Sequence, residues 1–190
     1  MKFAAFLALP LVVLLPGCDS VEPRFDAPPA VERAAPTEKV TSRYYRIVVV
    51  AVTLPSYAQA EEIYQRDADG AILPLGPLWA DEPGRAVTQQ VARDLDAITG
   101  RLVAPEPWPF RGRPDVRVDI RVQDFHATVD GSFRLSGQVF VAPEETGPDR
   151  ARRFDIETPI AGEGGPGEIA AARSAAVSEL AVFIAKNGLR

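Results

Sequence analysis

Three places in this 190-residue chain carry side chains whose type and setting could do chemistry: Cys18 in LLPGCDS, His126 in VQDFHATVDG, and the glycines of AGEGGPGE. A single thiol serves as a nucleophile, as a small buried hydrophobe or as a site of covalent modification. Cys18 is the only cysteine, so no intramolecular disulfide can form. His126 is the only histidine, which rules out His-rich or Cys-His zinc sites and leaves a Ser-His-Asp set to be built around one residue. No G-x-S-x-G elbow exists, and Ser136-Gly137 falls inside a predicted strand. His126 therefore reads as a strand-edge residue facing water.

Gly162-Glu163-Gly164-Gly165-Pro166-Gly167 satisfies G-x-G-x-x-G, but a dinucleotide site also needs a following strand, free amides and an acidic residue about 20 positions on. No strand is predicted after the helix that follows, and Pro166 removes an amide, so a strand-to-helix loop is expected. The acidic pairs Glu61-Glu62, Asp81-Glu82 and Glu144-Glu145 read as solvated carboxylates in loops or at helix starts. Trp79 is expected in the core, and the role of Trp108 stays open between core and partner contact. No catalytic set, metal ligand group or cofactor site follows from these residues.

Position separates the readings of Cys18. Met1 and Lys2 give a positive end, Phe3 to Leu15 an apolar run, and Pro10 and Pro16 interrupt its helix. The run falls short of the roughly 20 apolar residues a membrane-spanning helix needs. Leu15-Pro16-Gly17-Cys18 resembles a lipobox, the motif at which bacterial lipoproteins are acylated on cysteine and cut just before it, with Pro16 departing from the usual residue. Residues 1–17 are thus expected to be a signal peptide and Cys18 the lipidation site. Acyl burial stabilises by about 0.8 kcal/mol per methylene, so several chains anchor firmly where one does not.

Residues 18–43 follow as the acylated cysteine and a proline-rich tether without apolar period. As a coil it would span about 25 to 30 Å, and nearly 75 Å if extended. The chain carries a net charge of −5, and loss of Lys2 with the leader makes it more acidic. That is no footprint for nucleic acid.

The folded domain is expected over 44–190. YYRIVVVAVTLP reads as a central strand covered on both faces and ended by Pro55. Ile63–Arg66 and Ala71–Leu73 flank Asp69-Gly70 as a hairpin. Residues 81–100 form an amphipathic helix, with Asp81 as cap, Pro83 near its start, Val87, Val91, Leu95 and Ile98 as its stripe and Gly100 as its stop. VRVDIRVQDF alternates until Phe125 falls out of step, which predicts a bulge near Gln123-Asp124. Asp130-Gly131 turns into a second strand, RRFDIETPI supplies a third, and an alanine-rich helix ends at Asn187-Gly188. The sum is an α+β fold: a mixed, largely antiparallel sheet with two helices on one face, in the order β-β-β-α-β-β-β-α.

The ordered series Val52–Tyr57, Glu62–Gln65, Leu78–Asp81, Val116–Phe125 with Asp130-Gly131, and Arg153-Phe154 before the last helix resembles the PqiC-like family of ABC-type transport auxiliary lipoproteins, over 44–188. The resemblance implies a non-enzymatic periplasmic lipoprotein of a Gram-negative envelope, supporting envelope integrity with no cofactor. Its implied partner is the periplasm-spanning MCE-domain protein of a lipid transport system, and self-association into a homo-oligomer stays open. The outer membrane is favoured, with the inner one kept open by Asp19. An exposed edge strand, or the apolar loop from Ile72 to Trp79, is the expected contact surface, with Ile72, Leu73, Leu75, Leu78 and Trp108 as candidate residues. The alternatives are a lipoprotein of another envelope-assembly machine, such as lipopolysaccharide export, or a periplasmic hydrolase.

Overall fold

A computed structural model describes residues 22–26 and 36–190; Cys18 and the leader lie outside the described residues. Its elements are β1 (Arg24–Phe25), β2 (Arg46–Val49), a single 3-10 turn at Ser56–Ala58, β3 (Glu62–Arg66), β4 (Ile72–Trp79), α1 (Pro83–Thr99), β5 (Leu102–Pro105), β6 (Val116–Thr128), β7 (Ser132–Pro143), β8 (Arg150–Pro159) and α2 (Pro166–Asn187). The expected α+β class holds, and β1 and β5 are strands that periodicity missed because two and four residues are too short to show a period.

β6 organises the sheet. One edge pairs antiparallel with β7, which pairs antiparallel with β8, giving the expected meander. The other edge is shared in series: β2 lies parallel to Val116–Val118, and β3 lies parallel to Ala127–Thr128. Each carries its own wing, with β5 parallel outside β2, and β4 antiparallel outside β3 followed by β1. Both turn pairs act as predicted, Gly70 and Gly131 taking the positive φ their hairpins require.

The bulge lies where Phe125 pointed: Val122 faces Gly137, Asp124 faces Ser136, and Gln123 is the extra residue. It keeps Val116, Val118, Ile120 and Val122 in one buried row with Phe125 and Ala127. Gly137 permits this approach, because a Cβ there would sit 2.2 Å from the Arg121 carbonyl oxygen and 2.9 Å from Val122 Cα.

Both helices lie on one face, α1 against β2 and β5, α2 against β7 and β8, and each against the other. Val87, Val91, Leu95 and Ile98 are buried as expected. The cap is Glu82 rather than Asp81: its carboxylate accepts from the Gly84 and Arg85 amides at 2.8 and 2.7 Å, while Asp81 accepts from the Glu82 amide and pairs with Arg85. The α1–α2 contact also holds a polar stitch. The Gln90 amide donates to the Ser174 carbonyl at 2.7 Å, and the Ser178 hydroxyl to Asp94 at 2.7 Å.

Two expectations change. The first long strand runs only from Arg46 to Val49, because the chain then leaves the ladder and the Val52 amide donates to the Thr88 hydroxyl of α1. It is nevertheless central and buried on both faces, as Ile47, Val48 and Val49 show. The stretch from 18 to 43, expected to be a free tether throughout, makes specific contacts at both of its described parts. Arg24 and Phe25 pair with Leu78 and Trp79, Val40 is buried with its amide on the Ile98 carbonyl, and the Arg43 amide donates to Leu189. Apolar Phe25 and Val40 supply the burial that the surrounding prolines and charges lack.

The Gly137 contact yields a test. Gly137→Ala should destabilise the domain by about 1–3 kcal/mol through overpacking at the bulge, measured as a lower Tm, whereas Gly167→Ala, with open space at its Cβ, should leave Tm nearly unchanged.

Candidate functional site

The bulge in β6 gathers a polar cluster on the sheet face away from the helices. Asp124, freed from the alternation, accepts from the Ser136 hydroxyl and lies 3.5 Å from the Arg134 guanidinium. Arg134 also reaches Asp155 at 2.9 Å. Tyr57, from the 3-10 turn, accepts a hydrogen bond from the Phe125 amide at 3.0 Å and sets its ring beside His126. Burial pushes the Tyr57 phenol above its ordinary value, with the nearby Asp124 charge adding to the rise. Burial also works against the Asp124 carboxylate, but the Ser136 hydrogen bond and the His126 and Arg134 neighbours together hold it below the ordinary carboxylate range.

His126 is the main correction. Expected at a strand edge facing water, it is 1% exposed, because β6 is flanked by β3 and β7 and Tyr57 lies over it. Its Nδ1 donates to the Ala127 carbonyl at 3.0 Å, and Nε2 stands 3.7 Å from Asp124 without a hydrogen-bond partner among the described residues. Ser136 donates to Asp124 rather than to His126. Nucleophile activation needs the hydroxyl on the imidazole and the imidazole on the carboxylate, so this arrangement is not that of a hydrolytic triad. An open groove of about 510 Å³ borders the cluster, lined by Arg66, Asp67, Asp130, Arg134 and Glu157 among others. Among the described residues no group of His, Cys, Asp and Glu could hold a metal, and no helix is long and apolar enough to cross a membrane.

The residues expected at the contact surface separate into two places. Ile72, Leu73, Leu75 and Leu78 lie on β4, a strand throughout rather than a loop, with Leu73 54% and Leu75 39% exposed. Trp79 closes that strand in the core, under the Arg173 guanidinium at 4.2 Å. Trp108 belongs to the other wing, after β5, where its indole donates to the Gly112 carbonyl at 3.1 Å and meets Phe110 edge-on. The wings attach about eleven residues apart on β6, roughly 35 Å at strand rise, so Trp108 and β4 do not form one surface. Of the glycine run at 162–167, residues 162–165 are the loop into α2, with Gly165 as N-cap, and Pro166 and Gly167 open the helix.

Sequence reasoning missed β1. Its signal was Phe25, the one aromatic residue between 19 and 43. Among the described residues β8 is an outer edge of the sheet, paired with β7 alone, and it exposes Arg152 and Arg153.

These features define an α+β domain with strand edges and a groove on the sheet face away from the helices. A sequence description of the ABC-type transport auxiliary lipoprotein component matches residues 28–185, and the chain belongs to that family. Membership associates it with a transport system and with the cell envelope. Similar solved structures include an uncharacterized protein at a TM-score of 0.69 and 17% identity, with 87% of this chain and 98% of that one covered. Protein XCC0632 from Xanthomonas campestris aligns at a TM-score of 0.65 and 16% identity, covering 88% and 91%. Both share the fold. No curated protein sequence matches the chain.

The depressed Asp124 carboxyl gives a pH test. A carboxyl held below its ordinary value contributes stability above about pH 3.8 that is lost as pH falls through the folded value. Asp124→Asn should therefore unfold at lower urea than the parent near neutral pH, and the gap should narrow in acid. A gap that stayed constant with pH would show that Asp124 acts through packing alone.

Proposed function

We propose that this chain is a lipid-anchored periplasmic component of an MCE/ABC-type intermembrane lipid transport system, working without catalysis as an accessory that supports envelope integrity. Family membership over 28–185 carries the reading, and the lipobox ending at Cys18 supplies the anchor. The signal peptide at 1–17 is removed, Cys18 is acylated, and the domain faces the periplasm, on the outer membrane in preference to the inner. Partner contact with the MCE-domain protein falls on β8. Among the described residues that ten-residue strand has no strand partner on its outer side, the geometry by which an extended segment adds to a sheet. Arg152 and Arg153 on that edge keep it soluble and give it a charge preference.

Two substitutions separate anchor from contact. Cys18→Ser should move the protein from the membrane fraction to the soluble periplasm while it still co-purifies with its transport partner. A charge-reversed Arg152→Glu/Arg153→Glu chain should stay in the membrane fraction and lose most of that co-purification. A Cys18→Ser protein that remained membrane-bound, or a β8 variant that retained its MCE-domain partner at parental level, would overturn the corresponding half of the proposal.

A further inference from the structure

We infer that the first half of β4, centred on Leu73 and Leu75, rests on the bilayer interface that holds the acyl chains of Cys18. The inference builds on the anchor reading above and concerns which face of the domain that anchor presents to lipid.

Strand direction is the first observation. β1 pairs parallel to β4, Arg24 opposite Leu78 and Phe25 opposite Trp79. Followed toward the N-terminus, a parallel neighbour heads back toward the start of β4. Cys18 stands six positions before Arg24, and six steps of chain reach at most about 20 Å. Leu73 lies five residues before Leu78, about 17 Å along the strand. The acylated sulfur is therefore confined to the neighbourhood of this wing. It cannot reach β8, separated from β1 by β4, β3, β6 and β7, a lateral offset of about 24 Å at strand spacing.

β1 is held in place. The Leu78 amide donates to the Pro23 carbonyl at 3.2 Å, and the Ala80 amide to Phe25 at 2.9 Å. Arg24 pairs with Glu61 at 2.6 Å and also donates to the Trp79 carbonyl. Asp26 stands 3.7 Å from Arg173, whose side chain is buried over Trp79. Phe25 packs against the core.

The surface itself selects lipid over a protein strand. Leu73 and Leu75 are among the exposed large apolar residues of the domain. Pro74 between them has no amide hydrogen, so a strand arriving at this edge would lose a ladder bond there. An interface with lipid asks for apolar side chains and leaves the backbone near water at headgroup level. Asp67 and Asp69 in the adjoining turn keep that end at the surface rather than inside the hydrocarbon.

The lone cysteine makes the test clean, since after acylation an introduced thiol is the single free one. Full-length Leu73→Cys and Arg152→Cys proteins are labelled with bimane and reconstituted in phosphatidylethanolamine–phosphatidylglycerol vesicles containing headgroup-nitroxide lipid. Quenching at position 73 should exceed that at position 152 several-fold. Arg24→Ala with Phe25→Ala should bring it down toward the position-152 level, while flotation with the vesicles persists. Equal quenching at the two positions, or quenching at 73 that survives release of β1, would overturn the inference with the anchor reading intact. Intact mass and flotation are read before labelling: an unacylated protein that does not float overturns the anchor reading, and this inference with it.

Discussion

The backbone amides and carbonyls along both edges of β6 must find partners, and that requirement shapes the whole domain. A strand of thirteen residues is longer than any single neighbour on one of its sides. β7 satisfies one edge end to end. The other is divided between β2 and β3, with Val50, Thr53 and Val122 bridging the interval through Val118, Ile120 and Thr53 carbonyls. An unpaired buried backbone group costs about 1–3 kcal/mol, so leaving the interval open would cost several times that. Because β2 and β3 meet β6 at different heights, the sheet forks into two wings, and the α1 helix is anchored where the chain crosses between them, at Val52 and Thr88.

The fork explains where polar residues end up. The bulge at Gln123 keeps the apolar row of β6 continuous on the helix side and turns Asp124 and His126 to the other. There Tyr57, carried by the crossing segment, and Arg134 from β7 close around them. The result is an interlocked set in which Asp124 binds Ser136 and Arg134 at once. The same logic applies on the helix side, where Gln90, Asp94, Ser174 and Ser178 are buried but bonded, which ties α1 to α2 more specifically than alanine packing would. The cluster around His126 is thus tied into the sheet from three elements, the 3-10 turn, β6 and β7.

Much of this was legible in the chain. Strict alternation from Val116, the out-of-step Phe125, two Asp-Gly turns and the helix spacing from Val87 to Ile98 are local signals, each set by side-chain period or backbone permissiveness, and the structure bears them out. The ordered series of motifs likewise pointed to the family that the match over 28–185 establishes. β1 and β5 were not legible, because their strand character comes from a neighbour rather than from their own two and four residues. The burial of His126 was hidden too, since its cover comes from Tyr57, sixty-nine positions earlier in the chain.

What the sequence by itself determined was the inventory: an apolar run ending at a single cysteine, an acidic α+β domain and one bulge. These follow from residue type and near-neighbour spacing, which need no fold to express themselves. Tertiary structure alone decided which edges stay open, that β4 and Trp108 belong to different wings, and that Arg24 and Phe25 join the sheet instead of remaining tether. Those outcomes depend on the series pairing along β6 and on the docking of β1 beside Leu78 and Trp79, contacts between residues more than fifty positions apart, whose loop-closure cost is offset only when the whole sheet forms.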